Sequence, residues 1–230
     1  RILSKILRIP GRFSLAGLKK PAGELMRLSL PLTANRTAVT LLQSVEAASI
    51  PASLKLFGMD TSDALSTYGV LTGMALPCIL FPSAVTSSVG TVLMPAVTKA
   101  QADGDPAGMA ALIRKAASGC FLLGLACCLF FLLSGSFLGE FLFHSSSAGK
   151  FILTLAWMCP FLYTNAALIS SINGLGKTTS TFLINMLSLG MRIASVFLAI
   201  PRCGILGYLW GLLASQAAVT VLAFLVLYRT

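Results

Sequence analysis

Residues 119–133 read Gly-Cys-Phe-Leu-Leu-Gly-Leu-Ala-Cys-Cys-Leu-Phe-Phe-Leu-Leu, fifteen positions with no polar side chain beyond thiols. A stretch this uniform leaves little choice of surroundings, because backbone in hydrocarbon must satisfy its own hydrogen bonds and a helix does so within one segment. A spanning helix needs about 20 mainly apolar residues. Six stretches qualify, at about 25–56, 66–98, 114–134, 150–173, 179–200 and 204–228. The sequence therefore predicts an all-α membrane protein built as a six-transmembrane-helix bundle. Only 10% of the 230 residues are charged, against about 25% in a soluble domain. The mean hydropathy of +0.88 agrees.

The net charge of +10 would fit nucleic acid, but its distribution points elsewhere. Seven of the seventeen basic residues fall in the first 27 positions, beside predicted spans. That pattern fits anionic membrane lipids and orientation signals, with no nucleic acid partner. Within residues 1–22, Ile2, Leu3, Ile6, Leu7 and Ile9 alternate with Lys5, Arg8 and Arg12, which reads as a basic amphipathic linker or interfacial segment. Residues 23–230 form the predicted bundle. Twelve basic residues lie at one set of span ends and three, Lys55, Lys150 and Arg202, at the other. Positive-inside asymmetry then places both termini in the cytoplasm. No signal peptide is visible, and the opening on Arg1 predicts a fragment of a longer protein.

Two spans are too long for a straight crossing. Thirty-odd residues rise about 45–50 Å, against a hydrocarbon core of about 30 Å. Pro31 and Pro51 flank the first, Pro77, Pro82 and Pro95 punctuate the second, and Pro160 lies in the fourth. They predict bends with freed carbonyls. The third span is expected to face lipid, and the first and fourth to line an interior.

The six cysteines form no CxxC pair and five lie in apolar spans, so they read as packing residues, with no metal site and no cofactor implied. Gly174-Leu-Gly-Lys177-Thr-Thr179 looks like the end of a phosphate-binding loop, but Ser171 stands where the loop requires its first glycine. It reads instead as a tight turn between the fourth and fifth spans. His144 is a lone loop histidine, and the sequon at Asn35 falls inside a span. No HExxH, paired-carboxylate or nucleophile-elbow pattern supports an enzyme.

Polar residues inside the spans are the sharper signal, because a charge there is costly and usually faces a cavity or a protein interior. The first span carries Asn35, Arg36, Gln43 and Glu46 on one broad helical face. Arg36 and Glu46 are ten positions apart, too far to pair with each other. In the fifth span Asn185 and Arg192 are seven apart and share a face. Asn165 and Gln216 lie in the fourth and sixth. These six residues, Asn35, Arg36, Gln43, Glu46, Asn185 and Arg192, are the candidate cavity. The arginines would bind an anionic head through their guanidinium forks. Glu46 would couple to a cation or proton, or hold an arginine in place. The structural alternative is an interhelical salt bridge, such as Glu46 with Arg192, that only fixes packing.

Several segments are similar to one family. They are Leu28-Ser-Leu-Pro-Leu, Leu41-Leu-Gln-Ser-Val-Glu-Ala, Tyr68-Gly-Val-Leu-Thr-Gly-Met-Ala-Leu-Pro77 and Leu80-Phe-Pro-Ser, followed by Leu93-Met-Pro-Ala-Val, Pro160-Phe-Leu-Tyr, Ile172-Asn-Gly-Leu-Gly-Lys177 and Ile200-Pro-Arg-Cys-Gly-Ile-Leu-Gly-Tyr-Leu-Trp-Gly211. From about residue 20 onward the chain resembles the stage V sporulation protein B group of polysaccharide biosynthesis proteins, in the superfamily of multidrug and toxic compound extrusion (MATE) transporters and oligosaccharide flippases. The resemblance implies one lobe, the C-terminal half, of a two-lobe MATE-like transporter, with the N-terminal six-helix lobe as its missing partner. It implies a polyprenyl-pyrophosphate-linked oligosaccharide or peptidoglycan precursor as cargo, flipped across the bacterial plasma membrane by alternating access. Arg36, Gln43 and Glu46 correspond in kind to the family's polar cavity residues. A cation-coupled multidrug exporter, with Na+ or H+ as coupling ion, is the alternative; a non-transporting scaffold would need no midplane charges.

Overall fold

The computed structural model describes residues 37 and 39–229. The predicted amphipathic segment, most of the first half of span one, Asn35 and Arg36 lie outside the described residues. The chain divides into two units, Arg1–Gln43 and Ser44–Thr230. Of the first, residues 37 and 39–43 are helical.

The described residues of the second unit are helices joined by short turns. Helix α1 covers residues 44–56, and α2 Thr61–Leu80. Then come α3 Ser83–Ala102, α4 Pro106–Phe143, α5 Ser146–Ala156, α6 Cys159–Gly174, α7 Thr178–Leu198, the short α8 Ile200–Cys203 and α9 Ile205–Tyr228. Among the described residues, α2, α4, α7 and α9 are each long and apolar enough to cross a membrane, and the bent pair α5–α6 makes a fifth. The chain is a multi-pass membrane protein. Predicted spans three, five and six fall on α4, α7 and α9, span four on the bent pair α5–α6, and span two on α2 together with α3; of span one, residues 37 and 39–56 are described.

Span boundaries differ from the expectation for definite reasons. The predicted span 66–98 is two helices, because Phe81 and Pro82 form a turn where proline removes a helical donor. Pro77 is absorbed differently. The turn just before it, Leu71–Ala75, is a π-helix, and that wider turn relieves the clash of the proline ring with the carbonyl four residues back. Pro51 and Pro95 sit inside helices that continue past them. Pro160 lies in the first turn of α6, where a missing N–H costs nothing. The bend of 53° between α5 and α6 belongs to Trp157 and Met158 just before it.

The predicted span 114–134 is only the apolar middle of α4, a helix of 38 residues, about 57 Å long. Its start is fixed by Asp105, whose carboxylate accepts from the Gly108 amide at 2.9 Å, with Pro106 at the first helical position. It ends at His144, which takes a left-handed φ of 48°. Ser145 then caps α5 by accepting from the Ala148 amide. Ala117, Cys120, Gly124, Cys128, Phe131, Gly135 and Gly139 are buried, an i, i+3, i+4 stripe down one side. Leu122, Leu129, Leu133 and Phe137 on the other sides are exposed. The helix thus presents large apolar side chains outward and, Phe131 apart, small ones inward.

Helix α6 is the hub. Ten of its 16 residues are buried, and it packs against α3, α4, α7 and α9. Close approach depends on small residues, as membrane helices require. A Cβ on Gly124 of α4 would lie 2.6 Å from Pro160 Cα. One on Gly174 would lie 2.7 Å from the Met94 carbonyl of α3. The same crossing is tied by Thr98, whose hydroxyl donates to the Gly174 carbonyl at 2.8 Å. At the other end of α6, Tyr163 donates to the Ile79 carbonyl at 2.8 Å, one of the carbonyls that the end of α2 leaves unpaired.

Candidate functional site

Glu46 is 3% exposed, the one charged side chain that is fully buried among the described residues. The faces of α1, α7 and α9 meet around it. Arg192 of α7 donates through Nε to Glu46 Oε1 at 2.9 Å. Tyr208 of α9 donates its hydroxyl to the same oxygen at 2.8 Å. Arg192 Nη2 also reaches the Tyr208 hydroxyl, at 3.5 Å. The triangle is closed: acid, base and phenol each touch the other two. Burying a lone charge is costly, and the attraction between opposite charges offsets that cost only where hydrogen-bond geometry is good. Two charge-assisted bonds on one oxygen provide it.

Local sequence sets the triangle. Ile50 and Leu54, four and eight positions after Glu46, are also buried, so Glu46 lies on the face that α1 turns inward. Ser195 donates back to the Arg192 carbonyl at 2.7 Å. A Cβ on Gly207, next to Tyr208, would lie 2.6 Å from the Ala199 carbonyl, so glycine there lets α9 close on the end of α7. The Arg192 side chain keeps 27% exposure, and its Nη1 has no partner among the described residues. The site is thus a buried carboxylate bearing a guanidinium that still reaches an open side.

Of the six candidate residues, Glu46 and Arg192 come together. Asn185, two turns earlier on α7, is exposed. Gln43 is exposed in the first unit, and Asn35 and Arg36 lie outside the described residues. Tyr208 is a site residue that sequence reasoning missed. The available signal was a phenol within an apolar span, since a buried tyrosine hydroxyl wants a partner.

A second polar cluster joins α6 to α9. Asn165 donates to the Gln216 side-chain oxygen at 2.8 Å and to the Gln216 carbonyl at 3.1 Å. Thr220 donates to Asn165 Oδ1 at 2.8 Å. Asn165 is 6% exposed, and both ends of its amide are used, so this cluster fastens two helices. At the end of α6, Thr181 donates to Asn173 Oδ1 at 2.8 Å and Gly176 has a φ of +75°. Residues 174–177 are therefore a helix-ending turn with no strand before it. No group of three or more His, Cys, Asp or Glu among the described residues could hold a metal ion.

No family model matches the chain. Over 222 residues, 95% of its length, it is 25% identical to stage V sporulation protein B of Bacillus subtilis (strain 168), and it spans 43% of that protein. Its fold matches an outward-facing multidrug resistance MATE family transporter of the MOP superfamily, with a TM-score of 0.68 at 16% identity over 86% of this chain and 43% of the other. A MOP superfamily transporter from Pyrococcus furiosus, described by the reverse polarity of its binding pocket, gives 0.66 over the same shares. The chain therefore has the fold of slightly under half of a MOP-superfamily transporter and, over nearly all of its own length, resembles stage V sporulation protein B.

Proposed function

We propose that the chain is the C-terminal lobe of a flippase that moves a polyprenyl-pyrophosphate-linked oligosaccharide or peptidoglycan precursor across the bacterial plasma membrane by alternating access. The observation that carries this reading is the buried Glu46–Arg192–Tyr208 triangle, because intramembrane charges that keep one open side mark substrate pathways. Arg192 spends Nε on Glu46 and retains exposure. A guanidinium held from behind by a carboxylate is oriented for a phosphate in front. The sequence also offers Arg36, ten positions before Glu46, as a second cation for a pyrophosphate. Glu46 and Tyr208 position Arg192, and the cargo's phosphates compete with Glu46 for it as the lobes rock. This is transport without bond chemistry, and the missing lobe completes the cavity. Both termini face the cytoplasm.

The test uses the whole transporter, reconstituted in liposomes with a fluorescent pyrophosphate-linked lipid. R36A and R192K each abolish flipping while the protein still runs as a folded species. Undiminished flipping in either variant would sink the anion-site reading.

A cation-coupled multidrug exporter is the second reading. It is favoured by the multidrug transporter among the fold matches and by Glu46 Oε2, which has no partner among the described residues. On that reading E46Q uncouples transport from an Na+ or H+ gradient, and R36A leaves drug export intact.

A further inference from the structure

Away from the triangle, a groove of about 790 Å³ runs between α4 and α9 with α6 as its floor. That volume is in the range of small-molecule pockets, about 300–1,000 Å³. Its lining is almost wholly apolar. Phe121 forms one wall, Phe224 and Leu227 the other, and Leu168 lies beneath. Both helices pack on α6, and the small side chains Ala117 and Ser118 of α4 leave the space between them unfilled. One cation breaks the pattern. Arg114 lines the groove near the start of α4, is exposed, and has no hydrogen-bond or ion-pair partner among the described residues. Lys115 follows it, and α9 ends at the same level with Tyr228 in the groove lining and Arg229 just beyond.

We infer that this groove is a binding site for an anionic phospholipid, with one acyl chain between α4 and α9 and the phosphate on Arg114. The charge decides the occupant. An apolar slot open to hydrocarbon takes an acyl chain without loss, since lipid tails are as apolar as its leucines. An arginine at the mouth of that slot, two to three turns from the helix start, sits where a phosphate headgroup lies, and its fork matches phosphate oxygens. The slot's floor includes Thr164 and its wall Thr220. Thr220 belongs to the cluster that fastens α6 to α9, so the bound chain braces the hub against the last helix. The groove lies away from Glu46 and Arg192, so its occupant does not depend on what the transporter carries.

The experiment places the full transporter in vesicles containing phosphatidylglycerol or phosphatidylcholine with a photoactivatable group in mid-chain, followed by digestion and mass spectrometry. Phosphatidylglycerol should label peptides from 106–121 and 220–228. S118W, a change at an exposed position that fills the slot, should abolish that labelling. R114Q should keep labelling but cut the preference for phosphatidylglycerol about fivefold, the size expected for one basic residue near an anionic surface. Equal labelling by the two lipids in the unaltered protein overturns the inference. So does labelling that survives S118W in a folded protein, or a crosslink showing another segment of the transporter in the slot.

Discussion

At the residue scale, the closed contact among Glu46, Arg192 and Tyr208 makes unequal demands on its members. Removing Tyr208's hydroxyl takes one charge-assisted bond from Glu46 and leaves the other. Y208F should therefore cost about 1.5–3 kcal/mol of unfolding stability, read by denaturant titration in detergent. E46A leaves Arg192 with a weakened shell and should cost about 3–5 kcal/mol, the size seen when one partner of a buried pair is removed. The double variant E46L/R192M separates packing from function. If the pair only fixes helices, the double change restores stability and transport together. On the proposed reading it restores stability and leaves transport dead.

Helix packing turns on single glycines. A Cβ on Gly124 would lie 2.6 Å from Pro160 Cα and 2.9 Å from the Cys159 carbonyl, both backbone atoms that cannot swing aside. Gly119, five residues earlier on the same helix, has nothing within 4 Å of its Cβ position. G124A should thus cost about 1–3 kcal/mol by overpacking, while G119A should be neutral or stabilising by up to about 1 kcal/mol through helix propensity. Thermal unfolding of the two variants checks this, and equal behaviour would show that α4 does not lie against the start of α6. The elements also explain which proline bends were legible. Each proline was visible, but whether it breaks a helix, widens a turn or starts a helix depends on its distance from a helix end. Pro82 breaks α2 from α3, Pro77 is preceded by a π-turn, and Pro160 opens α6.

For the whole molecule, orientation is the open quantity with a direct measurement. Cys203 is exposed at the turn before α9, beside Arg202, on the side assigned to the outside. Cys120, Cys128 and Cys159 are buried. A membrane-impermeant maleimide added to intact cells should label Cys203, and C203S should remove that signal. A K177C variant in the C203S background should react only after the membrane is opened. Labelling of position 177 from outside would invert the topology and with it the direction assigned to flipping.

Composition and hydrophobic length determined the membrane, the helical class and the approximate positions of five spans, because a hydrocarbon solvent imposes those through desolvation alone. Intramembrane charge marked Glu46 and Arg192, since each is expensive wherever it lies. Periodicity within one helix could not say what a charge meets across the bundle. Glu46 and Arg192 are 146 positions apart, and Tyr208 joins them only because α8 and Gly207 turn α9 back onto α7. The hub role of α6 and the groove headed by Arg114 were equally hidden, because each is a relation among helices brought together by small side chains. Only the tertiary structure could decide which costly charge found a partner and which was left facing an open slot.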